Sequence, residues 1–160
     1  MRKFRDILLE SKGQIVFTFG RFNPPTTGHE KLLDKVKQVA GSNPYRIYPS
    51  HTQNAKKDPL PHTLKVAYMR KMFSKHRGKI IASKDGRNAI EIAEILYKEG
   101  FTDLIMVVGS DRVTEFSTLL NRYNDAPDKK GNQLFKFDSI DVISAGERDP
   151  DAEGVEGMSA

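Results

Sequence analysis

Residues 14–30 read QIVFTFGRFNPPTTGHE, and the fold turns on how the two halves of this stretch are joined. Gln14 to Phe19 is rich in β-branched and aromatic residues and reads as a buried strand. From Gly28 to Ala40, Leu32, Leu33, Val36 and Val39 recur at helical spacing, and Gly41 closes the helix. Between the two, Gly20 lacks a Cβ and leaves room for a phosphate to approach the backbone. Asn23, Pro24 and Pro25 impose a fixed, non-helical turn, because proline locks its own φ and restricts the residue before it. Thr26 or Thr27 is a natural N-cap for a helix that starts near Gly28. The unsatisfied N–H groups and positive dipole end of that helix form an anion site, on which Arg21 and His29 both bear.

Beyond this stretch the same alternation continues. Tyr45–Pro49 (YRIYP) reads as a second strand, and Ser50–Pro61 as a polar loop long enough to suggest function. A helix is predicted over Thr63–Phe73, with Leu64, Ala67, Tyr68 and Met72 on one face. Lys79–Ser83 (KIIAS) reads as a third short strand, and Ala89–Lys98 as a helix stopped by Gly100. Asp103–Gly109 (DLIMVVG) is nearly all apolar, as a parallel strand covered on both faces must be. Another helix follows over Val113–Tyr123, then a Pro/Gly/Asp/Lys loop, and Leu134–Ala145 supplies one or two last strands. There is no internal repeat and no linker. The pattern predicts a doubly wound, Rossmann-like α/β sandwich of three layers, with a mostly parallel sheet of five or six strands. Ligands of such sheets bind at the carboxyl ends of the strands, where the strand order reverses.

Composition narrows the class. A chain of 160 residues with 38% hydrophobic and 29% charged residues suits one soluble domain. No apolar run reaches the length of a membrane span, so no membrane partner is expected. Asp6, Glu10 and Lys12 interrupt the apolar positions of the N-terminus, which is therefore no signal peptide. The absence of cysteine excludes disulfides and thiolate metal sites and makes the cytoplasm the default setting. The net charge of +5 fits an anionic partner or simply a solvated basic surface.

GRFNPPTTGH resembles the nucleotidyltransferase superfamily, whose signature is His/Thr-x-Gly-His after the first strand; the match runs through Thr26, Gly28 and His29. Gly20-Arg21-Phe22 with a proline nearby is most similar to the nicotinamide-mononucleotide adenylyltransferase branch. Gly109, Ser110 and Asp111 (in VVGSD) sit where that family has a nucleotide-contacting turn. GMSA, with Ser159, resembles the start of the family's C-terminal phosphate-binding helix, and the rest of that element is expected to be lacking after Ala160. The domain so defined covers 13–160.

The resemblance implies nucleotidyl transfer. A phosphate monoester attacks the α-phosphorus of a nucleoside triphosphate, and pyrophosphate leaves. ATP and nicotinamide mononucleotide are the expected pair; a cytidylyltransferase acting on a phosphorylated alcohol or sugar is the alternative. By the same match His29 donates to α- or β-phosphate oxygens with Thr26 beside it. Arg21 and the backbone at Gly20 and Phe22 hold the triphosphate, and Asp111 contacts the nucleoside. Arg148 is placed to reach the triphosphate or the second substrate. Mg²⁺ travels on the phosphates, and no protein metal site is expected. Since the chain has no tryptophan, Phe22, Tyr48, Phe116 or Tyr123 would have to stack a nicotinamide ring.

Lys56, Lys57, Lys65 and Arg70 are within sequence reach of a phosphate but are expected on the solvated surface. His51, His62 and His76 have no ligand spacing and read as structural or surface residues. The first ten residues, MRKFRDILLE, place Phe4, Ile7 and Leu8 on one face. They resemble the head-targeting peptides of internal capsid proteins of large tailed bacteriophages, with Glu10 at the cleavage position; the alternative is an amphipathic segment, 1–12, packing on the domain. The phage resemblance implies a DNA-binding protein packaged in a virion, or an enzyme of the host cytoplasm. A homo-oligomer is compatible with either.

Overall fold

The computed structural model describes residues 13–22, 25–51, 61–83, 85–127, 130–131 and 133–146. Strand β1 (Gly13–Gly20) is followed by helix α1 (Thr27–Ala40), β2 (Tyr45–Pro49) and α2 (His62–Met72). A 3-10 turn, Ser74–Lys79, leads on to α3 (Ala89–Lys98) and β3 (Phe101–Val108). After a short 3-10 turn, Ser110–Arg112, come α4 (Val113–Tyr123) and β4 (Ser139–Ser144). The four strands form one sheet in the order β2-β1-β3-β4, and every pairing is parallel. The chain moves outward from β1 to β2, then crosses back to β3, so the order reverses between β1 and β3.

Side-chain alternation along the strands divides the core in two. Ile15 and Phe17 of β1, Tyr48 of β2, and Leu104, Met106 and Val108 of β3 pack against α3 and α4. Val16, Ile47 and Val107 point the other way, under α1 and α2. A sheet covered on both faces explains why β3 is apolar almost throughout. The three-layer α/β arrangement is thus the one expected, but with fewer strands.

Both missing strands have identifiable causes. Ile80 makes a single parallel bridge to Ile47, with Ile81 N–H donating to the Ile47 carbonyl at 2.9 Å. Lys79 still belongs to the 3-10 turn, so the segment has one residue in register at the outer edge of β2. Near the C-terminus, Phe135 makes one bridge, to Asn124. The Asn124 side chain then serves the backbone of Phe137, accepting from its N–H at 2.7 Å and donating to its carbonyl at 3.1 Å. A side-chain amide has replaced the neighbouring strand, and both phenylalanines go into the core.

Helix α2 is turned the other way from its apolar reading. Leu64, Tyr68 and Met72 are exposed, while Val66, Met69 and the fully buried Lys65 face inward. Arg70 is not a free surface cation either, since it donates to the Ile80 carbonyl at 2.8 Å.

At the amino end of β2 a buried polar chain ties three elements. His76, fully buried, lies 2.8 Å through Nε2 from an Asp34 carboxylate oxygen and 2.9 Å through Nδ1 from the Tyr45 hydroxyl. The carboxylate accepts, so Nε2 carries the proton; in the neutral ring Nδ1 accepts from Tyr45. This bond from His76, then the ammonium of Lys75, holds the Asp34 carboxyl below its ordinary value of 3.8. A depressed carboxyl contributes stability above its unfolded pKa, which is lost as pH falls through the lower folded value. The contribution is small because Asp34 is about half exposed, 47%. His76→Phe leaves the buried Tyr45 hydroxyl without its partner and should destabilise the protein by about 1–3 kcal/mol, read as a lower urea midpoint. In Asp34→Asn the loss of stability on acidification below the ordinary carboxyl value of 3.8 should shrink.

Candidate active site

The carboxyl end of the sheet parts between β1 and β3. The β1–β2 ladder runs to Gly20 opposite Pro49, and the β3–β4 ladder to Val108 opposite Ser144. The β1–β3 ladder stops earlier, at Phe17 opposite Met106. Each central strand therefore follows its outer neighbour to the end, and a crevice opens at the point of order reversal. Thr18, 1% exposed, spans it at the base, donating its hydroxyl to the Val107 carbonyl at 2.7 Å. Continuing each strand past the last pair brings Gly20 and Gly109 to the two sides of the opening.

On the β1 side, Gly20 is followed by Arg21, half-buried and making no ion pair with any described residue, and by Phe22. Phe22 is fully buried with φ of 48°, a left-handed backbone that a bulky side chain adopts at a cost. Its ring fills the core under α1 and meets His29 edge to face, with centroids 5.0 Å apart. The helix begins with Thr26 as N-cap and His29 at the third position. There the imidazole takes the part usually given to glutamate in a capping box: Thr26 N–H donates to Nδ1 at 2.9 Å. The Thr26 hydroxyl lies 3.2 Å from the same nitrogen. With Nδ1 accepting, the neutral ring keeps its proton on Nε2. His29 is 7% exposed, so the ring is oriented by both packing and hydrogen bonding.

On the β3 side, Gly109 caps the turn Ser110–Arg112, and the Arg112 N–H closes it onto the Gly109 carbonyl at 2.9 Å. Ser110 and Asp111 are exposed there. Arg112 is engaged in a bidentate pair with Glu115 and covers the Phe116 ring. Gly20, Arg21, Phe22, Thr26, Gly28 and His29 thus lie on one side of the crevice and Gly109, Ser110 and Asp111 on the other. Arg148 and Ser159 lie outside the described residues, as do Lys56, Lys57 and the segment 1–12. The expected stacking rings are committed elsewhere: Phe22, Tyr48 and Phe116 are core residues, and Tyr123 packs against the core. Burial under helices, invisible in a count of aromatics, removes them as stacking platforms.

A third group lies beside β1: Ser50, which opens the loop whose length suggests function, Lys65, expected at the surface, and His51 and His62, expected in a structural or surface role. Ser50 N–H donates to the Gly20 carbonyl at 2.7 Å, which joins the end of β2 to the end of β1. Lys65, 0% exposed, donates to the Ser50 carbonyl and hydroxyl, both at 3.2 Å. His51 and His62 stack with centroids 3.8 Å apart and ring planes 15° from parallel. A lysine on the inward face of α2 is the one sequence signal that could have located this group. Hydropathy reads it as an interruption of the apolar face.

Among the described residues no cluster of three or more His, Cys, Asp or Glu is placed to hold a metal ion, and no helix is long and apolar enough to cross a membrane.

A parallel sheet parted at its order reversal, with helices on both faces and a histidine-capped helix on one lip, defines a Rossmann-like α/β protein. Residues 17–147 match the cytidylyltransferase-like family, and the chain belongs to it. No curated protein matches the chain. The family is that of nucleotidyltransferases, and nucleotidyl transfer is the general activity it carries to this chain. Thr18→Val keeps the shape at the base of the crevice but removes its hydrogen bond, and should cost about 1 kcal/mol of stability. Thermal unfolding should show the loss, and Thr18→Ser should restore most of it.

Proposed function

We propose that the chain moves a nucleoside monophosphate from a nucleoside triphosphate, ATP in the first instance, onto a phosphate monoester, with nicotinamide mononucleotide as the first acceptor to test. The observation that carries this reading is the fixed tautomer of His29 in the first turn of α1. An oxygen of the acceptor's phosphate forms a bond to the α-phosphorus. The bond from that phosphorus to the β-bridging oxygen breaks, and its electron pair leaves with pyrophosphate. The attacking oxygen is already anionic, so no general base is required and the protein's part is alignment and charge stabilisation.

His29 contributes a neutral Nε2–H donor to the transferring phosphoryl and its bridge. It is preoriented because Nδ1 is tied to Thr26. The N–H groups at the start of α1 and the cationic Arg21 add to the same field. Gly20 and Gly28 let phosphate oxygens approach the backbone, and Gly109, Ser110 and Asp111 receive the nucleoside across the crevice. Mg²⁺ on the phosphates neutralises part of their charge.

A second reading has its own observation. His62–Lys79 contains six basic residues, Lys65, Arg70, Lys71, Lys75, Arg77 and Lys79, and no acidic one. Since the chain carries 26 basic and 21 acidic residues, the remainder has 20 against 21, and the whole positive excess sits in this segment. Lys65 and Arg70 are bonded within the fold, but Lys71, Lys75, Arg77 and Lys79 are exposed, and this cluster suits a polyanion such as DNA, as a packaged virion protein would bind.

His29→Asn leaves an acceptor near the Thr26 N–H but removes the Nε2–H donor. Turnover should fall on the order of 10²-fold with little change in melting temperature. Pyrophosphate release should be measured with Mg²⁺, each of the four nucleoside triphosphates and a panel of phosphate monoesters. ATP should lead. Turnover with CTP and not ATP would transfer the reading to a phosphorylated alcohol or sugar as acceptor. No pyrophosphate from any pair, with retention on DNA at physiological salt, would overturn the enzyme in favour of the binding protein.

A further inference from the structure

The protonation states of the stacked histidines at the end of β2 are set by their neighbours. His51 Nε2 lies 2.9 Å from the Ser83 carbonyl oxygen. A carbonyl accepts and never donates, so Nε2 bears the proton and the neutral ring carries its lone pair on Nδ1. His62 is the mirror case: Nδ1 lies 3.3 Å from the Ser50 carbonyl oxygen, which puts the proton on Nδ1 and the lone pair on Nε2. Burial, helped by the nearby His51, Lys65 and Arg87, holds the pKa of His62 below its ordinary 6.5. His62 is therefore neutral at pH 7 and its Nε2 is a hydrogen-bond acceptor.

Neither lone pair is used by a described residue. His51 Nδ1 and His62 Nε2 are buried, and no described residue donates to either. The two rings cannot serve each other, because stacked planes 3.8 Å apart keep in-plane lone pairs from meeting a ring N–H of the neighbour. A buried acceptor without a donor is costly, and two of them together call for a molecule that brings donors. Their position says which molecule. Ser50, whose carbonyl fixes His62, also bonds Gly20 at the end of β1. The pair is thus held at the end of β2, whose backbone lies about one strand spacing, roughly 4.8 Å, from β1, the strand that leads to the anion site. Lys65, bonded to the same serine, adds positive charge on this side.

We propose that His51 and His62 are the specificity contacts for the acceptor substrate, and that this acceptor is a phosphate monoester whose body carries hydroxyl or amide donors, such as a sugar or polyol phosphate or a nucleotide. The inference rests on the nucleotidyl-transfer reading of the crevice. The two lone pairs receive the donors of the acceptor's body while its phosphate reaches toward Gly20. Two ring-nitrogen lone pairs disfavour a second carboxylate or phosphate at this position, and a plain alkyl phosphate leaves both lone pairs unmet.

The test uses two substitutions that keep each carbonyl bond and delete each lone pair. In His51→Gln the side-chain NH₂ stands near the position of Nε2 and still donates to Ser83. In His62→Asn it stands near Nδ1 and still donates to Ser50. Each variant should raise KM for the best hydroxylated acceptor roughly tenfold and leave KM for the triphosphate nearly unchanged. The preference for that acceptor over n-propyl phosphate should collapse. Unchanged acceptor KM, or equal changes for both substrates, would overturn the inference.

A second measurement does not depend on turnover. The imidazole ¹⁵N spectrum of the whole protein should show His51 protonated at Nε2 and His62 at Nδ1. Titration with ribose 5-phosphate should move the bare nitrogen of each ring, and n-propyl phosphate should not. The opposite tautomers, or bare nitrogens unmoved by ribose 5-phosphate, would overturn the inference. If wild type releases no pyrophosphate with any pair while these nitrogens respond, the transfer reading fails and the binding site stands.

Discussion

The Thr18 hydroxyl, bonded to the Val107 carbonyl across the foot of the crevice, holds the site together. Below it β1 and β3 are joined by a parallel ladder; above it each strand is paired with its outer neighbour. A sheet whose order reverses must separate at that point, because successive connections leave on opposite faces. Directly beneath the Thr18 bond Phe17 and Met106, both fully buried, form the last pair of the β1–β3 ladder. Above this fork the opening is confined to the last residues of both strands, where Gly20 and Gly109 have no side chains to close it. The residues on the two lips of the crevice inherit their positions from this fork.

The four histidines show how an imidazole's role is decided by the backbone group or side chain that holds it. His29 accepts from the Thr26 N–H and keeps its proton on Nε2. His76 donates to Asp34 and accepts from Tyr45, which uses both nitrogens in stabilising the fold. His51 and His62 donate to carbonyls and are left with lone pairs. All four are the same residue type, and what differs is the group that holds each ring. Spacing along the chain does not distinguish them, because their partners come from other elements: Ser83 for His51, Asp34 and Tyr45 for His76.

Helix α2 carries the opposite lesson. Leu64, Tyr68 and Met72 form a regular apolar stripe, yet the structure puts them outward and buries Lys65. The inward stripe of Val66, Met69 and the following Phe73 is equally regular and packs on β2 and α1. Two apolar faces on one helix give an ambiguous period, and the choice between them belongs to the sheet beneath. Burial of a lysine in that choice is tolerated because Ser50 offers two oxygens at the end of β2.

The sequence by itself determined what depends on local covalent chemistry. β-Branched and aromatic runs made β1, β2 and β3 legible, and helical spacing located α1, α3 and α4. Gly20 marked the end of β1 and Thr26 the cap of the helix that carries His29. Its motif also carried the family. Tertiary structure decided everything that requires a partner distant in the chain. The KIIAS segment became a single bridge because a 3-10 turn ends at its first residue, and Leu134–Phe137 lost its strand because Asn124 supplied the bonds. Phe22, Tyr48 and Phe116 became core rings because helices cover them. His51, His62 and Lys65 meet at the end of β2 because a parallel sheet brings Ser50 beside Gly20, 30 residues away in sequence, and a hydrogen bond formed over that distance leaves no trace in local pattern.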